Sequence, residues 1–262
     1  MNILAGKRGL IMGVANDHSI AYGIARKCAE AGASLALTYQ NEMLAKRVIP
    51  LAESLGSDLT LPCDVGAEGG IDEMAATLAK SWGQIDFVVH AIAFADKSEL
   101  RGPYLNTSRN NFNNAMLISC YSMTELARAM LPMMEENGGS MTTLTYLGAN
   151  RITPNYNVMG VAKAALEASV RYLAVDLGKH NIRVNAISAG PVKTLAGAAI
   201  SGARHVFRHS ESQAPLKKNP DMDEVGRAGL YFASDLSSGV TGEVHYVDGG
   251  YHHIGVPTAE TE

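Results

Sequence analysis

A regular alternation of short apolar runs with longer amphipathic stretches constrains this chain more than any other feature. RGLIMG (8–13), SLALTY (34–39), DLTLPCD (58–64), FVVHAIAF (87–94), MTTLTY (141–146), RVNAIS (183–188) and EVHYVDGG (243–250) have the length and apolar content of strands. Helical patterns lie between them at 20–32, 41–56, 71–82, about 111–135, 156–177 and about 222–234. Pro50 is expected to disturb the second of these. Residues 87–94 are apolar enough to read as a strand covered on both faces. Strand and helix in alternation imply right-handed βαβ units, hence a parallel sheet with helices on both sides. The expected architecture is a doubly wound α/β fold of Rossmann type. A chain of 262 residues with 47% hydrophobic content suits one such domain, 1–262, with no linker or repeat dividing it.

Residues 189–220 break the rhythm. They follow the sixth strand, are rich in small residues and carry weak helical periodicity. Irregular insertions of this length are usually lids or binding loops, and ligands of doubly wound sheets bind beyond the carboxyl ends of the strands. A substrate-binding loop is expected here. Net charge is only -4, which argues against a nucleic-acid partner. The N-terminal residues show neither a secretory leader nor a membrane span, so a cytoplasmic protein is expected. Cys28, Cys63 and Cys120 are odd in number and lack a CxxC pair, which suits reduced, buried thiols. The histidines have no metal-ligand spacing, and His252–His253 reads as a solvated tail; no metal site is expected.

The first strand runs into GVANDHSIAYG. Gly13 can supply a tight turn, Ser19 can cap the helix that begins at Ile20, and Gly23 can let that helix pack close to the sheet. The spacing is not GxGxxG, and only its place after strand one makes it a candidate pyrophosphate site. Strand two ends at Gln40, an uncharged amide that can bond ribose hydroxyls but offers no charge to a 2′-phosphate. Lys46 and Arg47 lie a turn or more into the next helix, so NADH is favoured over NADPH. Asp64, ending strand three, is placed either to meet the adenine amino group or to cap a helix.

NYNVMGVAK (155–163) separates Tyr156 from Lys163 by seven positions. On a continuous helix such residues lie about 20° apart around the axis and about 10 Å apart along it, facing one cavity. Together with the glycine turn, the apolar fourth strand and NAISAGPVKT, this helix resembles the short-chain dehydrogenase/reductase family. That family normally carries Tyr-x-x-x-Lys with a serine about thirteen residues earlier. Here those positions hold Met159 and Tyr146. The altered pattern resembles the family's divergent branch of NADH-dependent enoyl-[acyl-carrier-protein] reductases, through GVANDHSIAYGIA, LTYQN, CDV, TLTYLGANRITPNYNVMGVAKAALEASVRY and GEVHYVDGG.

The resemblance implies NADH-dependent reduction of an enoyl thioester carried on acyl carrier protein, in a homotetramer. By it, Tyr156 stabilises the enolate, Lys163 holds the nicotinamide ribose, and Tyr146 shapes the pocket. It assigns cofactor contacts to Gly13, Ser19, Ile20, Gln40, Asp64, Val65, Ile92, Lys163, Val192, Lys193, Thr194, Leu195 and Ala196, and a substrate contact to Ala95. Val65 and Ile92 could also serve ordinary core packing. Two other functions stand beside this one: a ketoreductase or alcohol dehydrogenase of the same fold, and a nucleotide-sensing protein without turnover.

Overall fold

All seven runs expected as strands pair in parallel. β1 (Arg8–Met12), β2 (Ser34–Tyr39), β3 (Leu59–Pro62), β4 (Phe87–His90), β5 (Gly139–Thr145), β6 (Ile182–Ala189) and β7 (Val244–Val247) form one sheet in the order β3-β2-β1-β4-β5-β6-β7. The computed structural model describes residues 2–57, 59–194 and 202–256. Alternate residues along each strand feed opposite cores, as a pleated strand requires. Leu10, Met12, Ala36, Val88, Met141 and Ala186 pack beneath α3 (Gly70–Trp82), α5 (Ser122–Met134) and α6 (Asn157–Gly178). Ile11, Leu35, Leu37, Phe87, Val89 and Ile187 face α1 (Ile20–Glu30), α2 (Glu42–Ser54) and α8 (Met222–Ala233). Burial on both faces is why these strands read as apolar runs and not as alternating ones.

Several expected boundaries are corrected. α2 continues through Pro50, capped at its start by the Asn41 side chain, which accepts from Leu44 N at 3.1 Å. A proline late in a helix forfeits one backbone hydrogen bond, which the packing of Val48 and Ala52 outweighs here. The expected helix at 111–135 is two helices, α4 (Arg109–Met116) and α5, joined by one π-helical turn over Leu117–Tyr121. Such turns reorient side chains and often mark functional sites. β4 stops at His90, four residues early, because Phe94 N donates to Ser119 Oγ and Asp96 N to Asn111 Oδ1, which carries the following segment out of the sheet. β7 is likewise shorter than 243–250. Within 189–220, residues 203–213 form a helix, α7 (Ala203–Gln213), so this insertion is not an irregular loop throughout.

The strand order reverses at β1, which has β2 on one side and β4 on the other. A crevice therefore opens beyond their carboxyl ends.

Candidate active site

Gly13 follows β1 into that crevice with φ +99, and a Cβ there would lie 2.1 Å from the Ala91 carbonyl oxygen. Glycine is therefore demanded both by backbone conformation and by the close approach of the β4 exit. Ser19 occupies the N-cap position of α1, but its side chain caps none of the helix N–H groups. Its Oγ accepts from Ala15 N and Asn16 N, both at 3.0 Å, and so curls the 13–19 loop. The first turn of α1 holds no acidic residue, so its positive end is left for an external anion. Gly23 does not serve packing on the sheet as expected: a Cβ there would meet Met222 Cγ of α8 at 2.4 Å.

The adenosine side is polar. Gln40 Nε2 donates to Asp64 Oδ1 at 3.2 Å, joining the adjacent ends of β2 and β3. Asp64 Oδ1 also accepts from Gly66 N at 2.9 Å, while Gly69 takes the N-cap of α3, so Asp64 is no helix cap. Lys46 and Arg47 are exposed on α2. Val65 is buried in one core and Ile92 packs against it. Val192 is buried in the other, with Lys193 exposed and Thr194 N donating to Val192 O at 2.8 Å. Leu195 and Ala196 lie outside the described residues. These groups suit a dinucleotide: an unopposed helix start for pyrophosphate, and an amide and a carboxylate for ribose and adenine.

Tyr156 is not in a continuous helix with Lys163. α6 begins at Asn157, and the two asparagines flanking Tyr156 have positive φ, 61 at Asn155 and 37 at Asn157. Asparagine tolerates that region better than most residues, so N-Y-N encodes a kink that sets Tyr156 at the mouth of the helix. The helical phase argument for the pair therefore fails, although both side chains are buried. Tyr156 packs edge-on to Tyr146, with ring centroids 5.2 Å apart and planes at 70°. Gly148 makes room for both: a Cβ there would stand 2.5 Å from Tyr156 Cδ1 and 3.2 Å from Tyr146 Cδ1. Ala95, Leu100, Ala115, Val158 and Met159 complete a small apolar cluster with Tyr156. Asn157 Nδ2 donates to Glu99 O at 3.2 Å and Gly102 O at 3.1 Å, which anchors the facing wall.

Burial pushes the Tyr156 phenol well above its ordinary range, so it stays protonated as a donor. Tyr146 is raised by burial too, against an opposing hydrogen bond with Thr153. Lys163 is 5% exposed, and its Nζ donates to Leu144 O at 2.7 Å, leaving two of its three protons for a ligand. Burial lowers its pKa to about 8, with Cys120 and Glu167 acting in the opposite sense. A cleft of about 430 Å³ opens beside Tyr146, lined by Arg151, Thr153, Asn155, His205, His209 and Tyr251 among others.

Four polar residues escaped the sequence reading. His90 is fully buried in β4, 3.0 Å from Thr143 Oγ1 through Nδ1 and 2.8 Å from Ser122 Oγ through Nε2. Burial, then the nearby Lys163 charge, lowers its pKa to about 3, so it is neutral. Ser119 Oγ, carried by the π turn, bonds both Phe94 N (2.9 Å) and Phe94 O (3.0 Å). Asn111 accepts from Asp96 N at 2.8 Å. Glu167 is a buried carboxylate on α6. His90 alone left a signal, a polar residue inside an otherwise apolar strand. His252 is no solvated tail residue either, since its Nδ1 lies 3.0 Å from both Asp248 oxygens and its ring stacks on Tyr246. All three cysteines are free and buried, and no metal-binding group occurs among the described residues.

The family model described as enoyl-(acyl carrier protein) reductase matches residues 13–252. The chain belongs to that family. Enoyl-[acyl-carrier-protein] reductase [NADH] 2 of Rhizobium meliloti (strain 1021) is 57% identical over 258 residues, which are 98% of this chain and 96% of the relative. The crystal structure of FabI from Candidatus Liberibacter asiaticus superposes with a TM-score of 0.96 at 54% identity, covering 98% of this chain and 100% of the other. The reductase of Anaplasma phagocytophilum, solved in complex with NAD, gives 0.94 at 53% identity, with coverage of 99% and 97%. The chain is thus an oxidoreductase of Rossmann type, and its relatives are named for NADH or solved with NAD, in line with the resemblance.

Proposed function

We propose that the chain reduces the trans-2 double bond of enoyl-[acyl-carrier-protein] thioesters, the last reductive step of fatty acid elongation, with Tyr156 as electrophilic donor and Lys163 as cofactor ligand. The observation that carries the residue roles is the kink at Asn155–Asn157. It seats Tyr156 against Tyr146 and Ala95, while Met159, at the family's usual tyrosine position, is buried as an apolar side chain. NADH, when bound, would supply the hydride for the β-carbon, and a proton from solvent would complete the reduction at the α-carbon. Tyr156 Oη donates to the thioester oxygen, where negative charge collects in the transition state, as an oxyanion hole does. Lys163 Nζ bonds the nicotinamide ribose hydroxyls and adds positive charge nearby. Tyr146 closes the pocket beside the donor.

Loss of reduced nicotinamide is the test. Oxidation with crotonyl-CoA and none with acetoacetyl-CoA is expected; the reverse would make the chain a ketoreductase, and none with either would leave a binding protein.

For the partner, the reading is an acidic acyl carrier protein docking on α7. Arg204 and Arg208 are exposed and form no ion pair among the described residues, whereas Lys218 is paired with Glu224 and Lys217 donates to Ser212 O. Lys193, His205 and His209 are also exposed, against Glu211 as the acid of that helix. Opposite charges chiefly raise the association rate and are screened within about 8–10 Å at physiological salt. Added salt, or charge reversal at Arg204 and Arg208, should lower kcat/KM for the carrier-bound substrate by about 10-fold. A CoA thioester should change much less. Equal responses of the two substrates would remove α7 as the docking surface.

A cytoplasmic homotetramer completes the reading. No helix among the described residues is long and apolar enough to cross a membrane. Leu117, Tyr121, Tyr172 and Val175 are exposed apolar side chains of the π turn and α6, which suits contact with other copies.

A further inference from the structure

We propose that Glu167 is a positioning residue for this reaction, its buried carboxylate fixing the turn between Tyr146 and Tyr156 and holding the Lys163 ammonium in its charged form. The proposal rests on Lys163 as the ribose ligand. Glu167 Oε1 accepts from Thr145 Oγ1 at 2.8 Å, and Oε2 accepts from Asn150 Nδ2 at 3.0 Å. Thr145 ends β5 immediately before Tyr146, and Asn150 closes the 3-10 turn Leu147–Ala149 that contains Gly148. One carboxylate thus clamps both ends of the segment on which Tyr146 and Gly148 meet Tyr156. The clamp extends outward, since Asn150 Nδ2 also donates to Tyr246 Oη of β7 at 3.3 Å and Arg151 Nη1 donates to Ile254 O at 2.6 Å.

Anchoring alone does not require a charge. Both partners are neutral, no ion pair to Glu167 occurs among the described residues, and Glu167 is 5% exposed. A buried carboxylate in such company costs more than the isosteric amide would. Lys163 lies four residues earlier on the same helix, hence on the same face. Glu167 opposes the loss of its proton, and the same negative charge is felt by Tyr156 and Tyr246. The other titratable groups facing Lys163 are Cys120, on the π turn, and neutral His90, on β4. Asp248, which faces Tyr246, is already held by His252.

The test is the NADH dissociation constant measured by fluorescence from pH 6 to 9.5, with no enoyl substrate present. Wild-type affinity should be level at low pH and weaken above about pH 8, where Lys163 loses its proton. In Glu167→Gln the weakening should begin at a lower pH than in the wild type. Glu167→Asp should restore the wild-type limb even where its Tm falls. Thr145→Val, which loosens the clamp and keeps the charge, should lower kcat with crotonyl-CoA several-fold and leave the limb in place. A limb unmoved in folded Glu167→Gln, or moved equally in Glu167→Asp, would overturn the proposal. So would a wild-type affinity level to pH 9.5, which would remove the Lys163 role with it. Failure to reduce any enoyl thioester would instead refute the reaction, while the NADH curves still decide the role of Glu167.

Discussion

Tyr156→Phe is expected to lower kcat on crotonyl-CoA by about 10²–10³-fold, the loss typical of one oxyanion donor. NADH affinity should stay within about 2-fold of wild type, because the lost hydroxyl acts where charge develops in the transition state. The ring itself carries the packing. It is 8% exposed, fills the space left by Gly148 and meets Tyr146 edge-on, and phenylalanine preserves all of these contacts. The loss should also be independent of pH between 6 and 9, since burial keeps the phenol protonated far above that range. Tyr146→Phe serves as the comparison. Its ring is less buried and its hydroxyl is hydrogen-bonded with Thr153, so its removal should cost less than removal of the Tyr156 hydroxyl. Unchanged turnover in Tyr156→Phe would show that another group meets the thioester oxygen.

The framework was legible because it obeys local rules. Seven apolar runs are strands, the inner ones buried on both faces, and their alternation with helices dictates a parallel sheet. What misled was irregular backbone. The sequence displays the tyrosine and lysine of NYNVMGVAK and suggests a helical phase for them, whereas two left-handed asparagines place Tyr156 outside the helix. The π turn was invisible for a related reason, since one extra residue per turn leaves no mark on a short amphipathic pattern. Ser19 shows a subtler failure: its position as N-cap was right, and its hydrogen bonds run backward to the loop. Buried polar groups were the least readable. Glu167 finds Thr145, Asn150 and, through Asn150, Tyr246, which lie 22, 17 and 79 residues away along the chain. No periodicity links them, and a glutamate on a helix reads as solvated until its partners are seen.

Replacement of Lys163 should produce the second large effect, and in the opposite parameter. Lys163→Ala is expected to weaken NADH binding about 10- to 100-fold, because hydrogen bonds from a charged donor contribute about 1.5–3 kcal/mol. Part of any loss in this variant is structural, since it strips Leu144 O of its donor and leaves the buried Glu167 without a nearby cation. Lys163→Gln separates the two contributions: its amide can still donate to a carbonyl but carries no charge. If the ammonium is what holds the cofactor, the glutamine variant should bind NADH almost as poorly as the alanine variant while recovering most of the Tm. The wild-type enzyme should approach the same weakened state with pH alone. With the Lys163 pKa near 8, the charged fraction is nearly complete at pH 6.5 and falls about tenfold per unit well above 8. NADH affinity should follow that fall, and Lys163→Gln should show no such limb. Tight NADH binding by both variants would place the ribose contact on another residue and leave Lys163 as a support for β5.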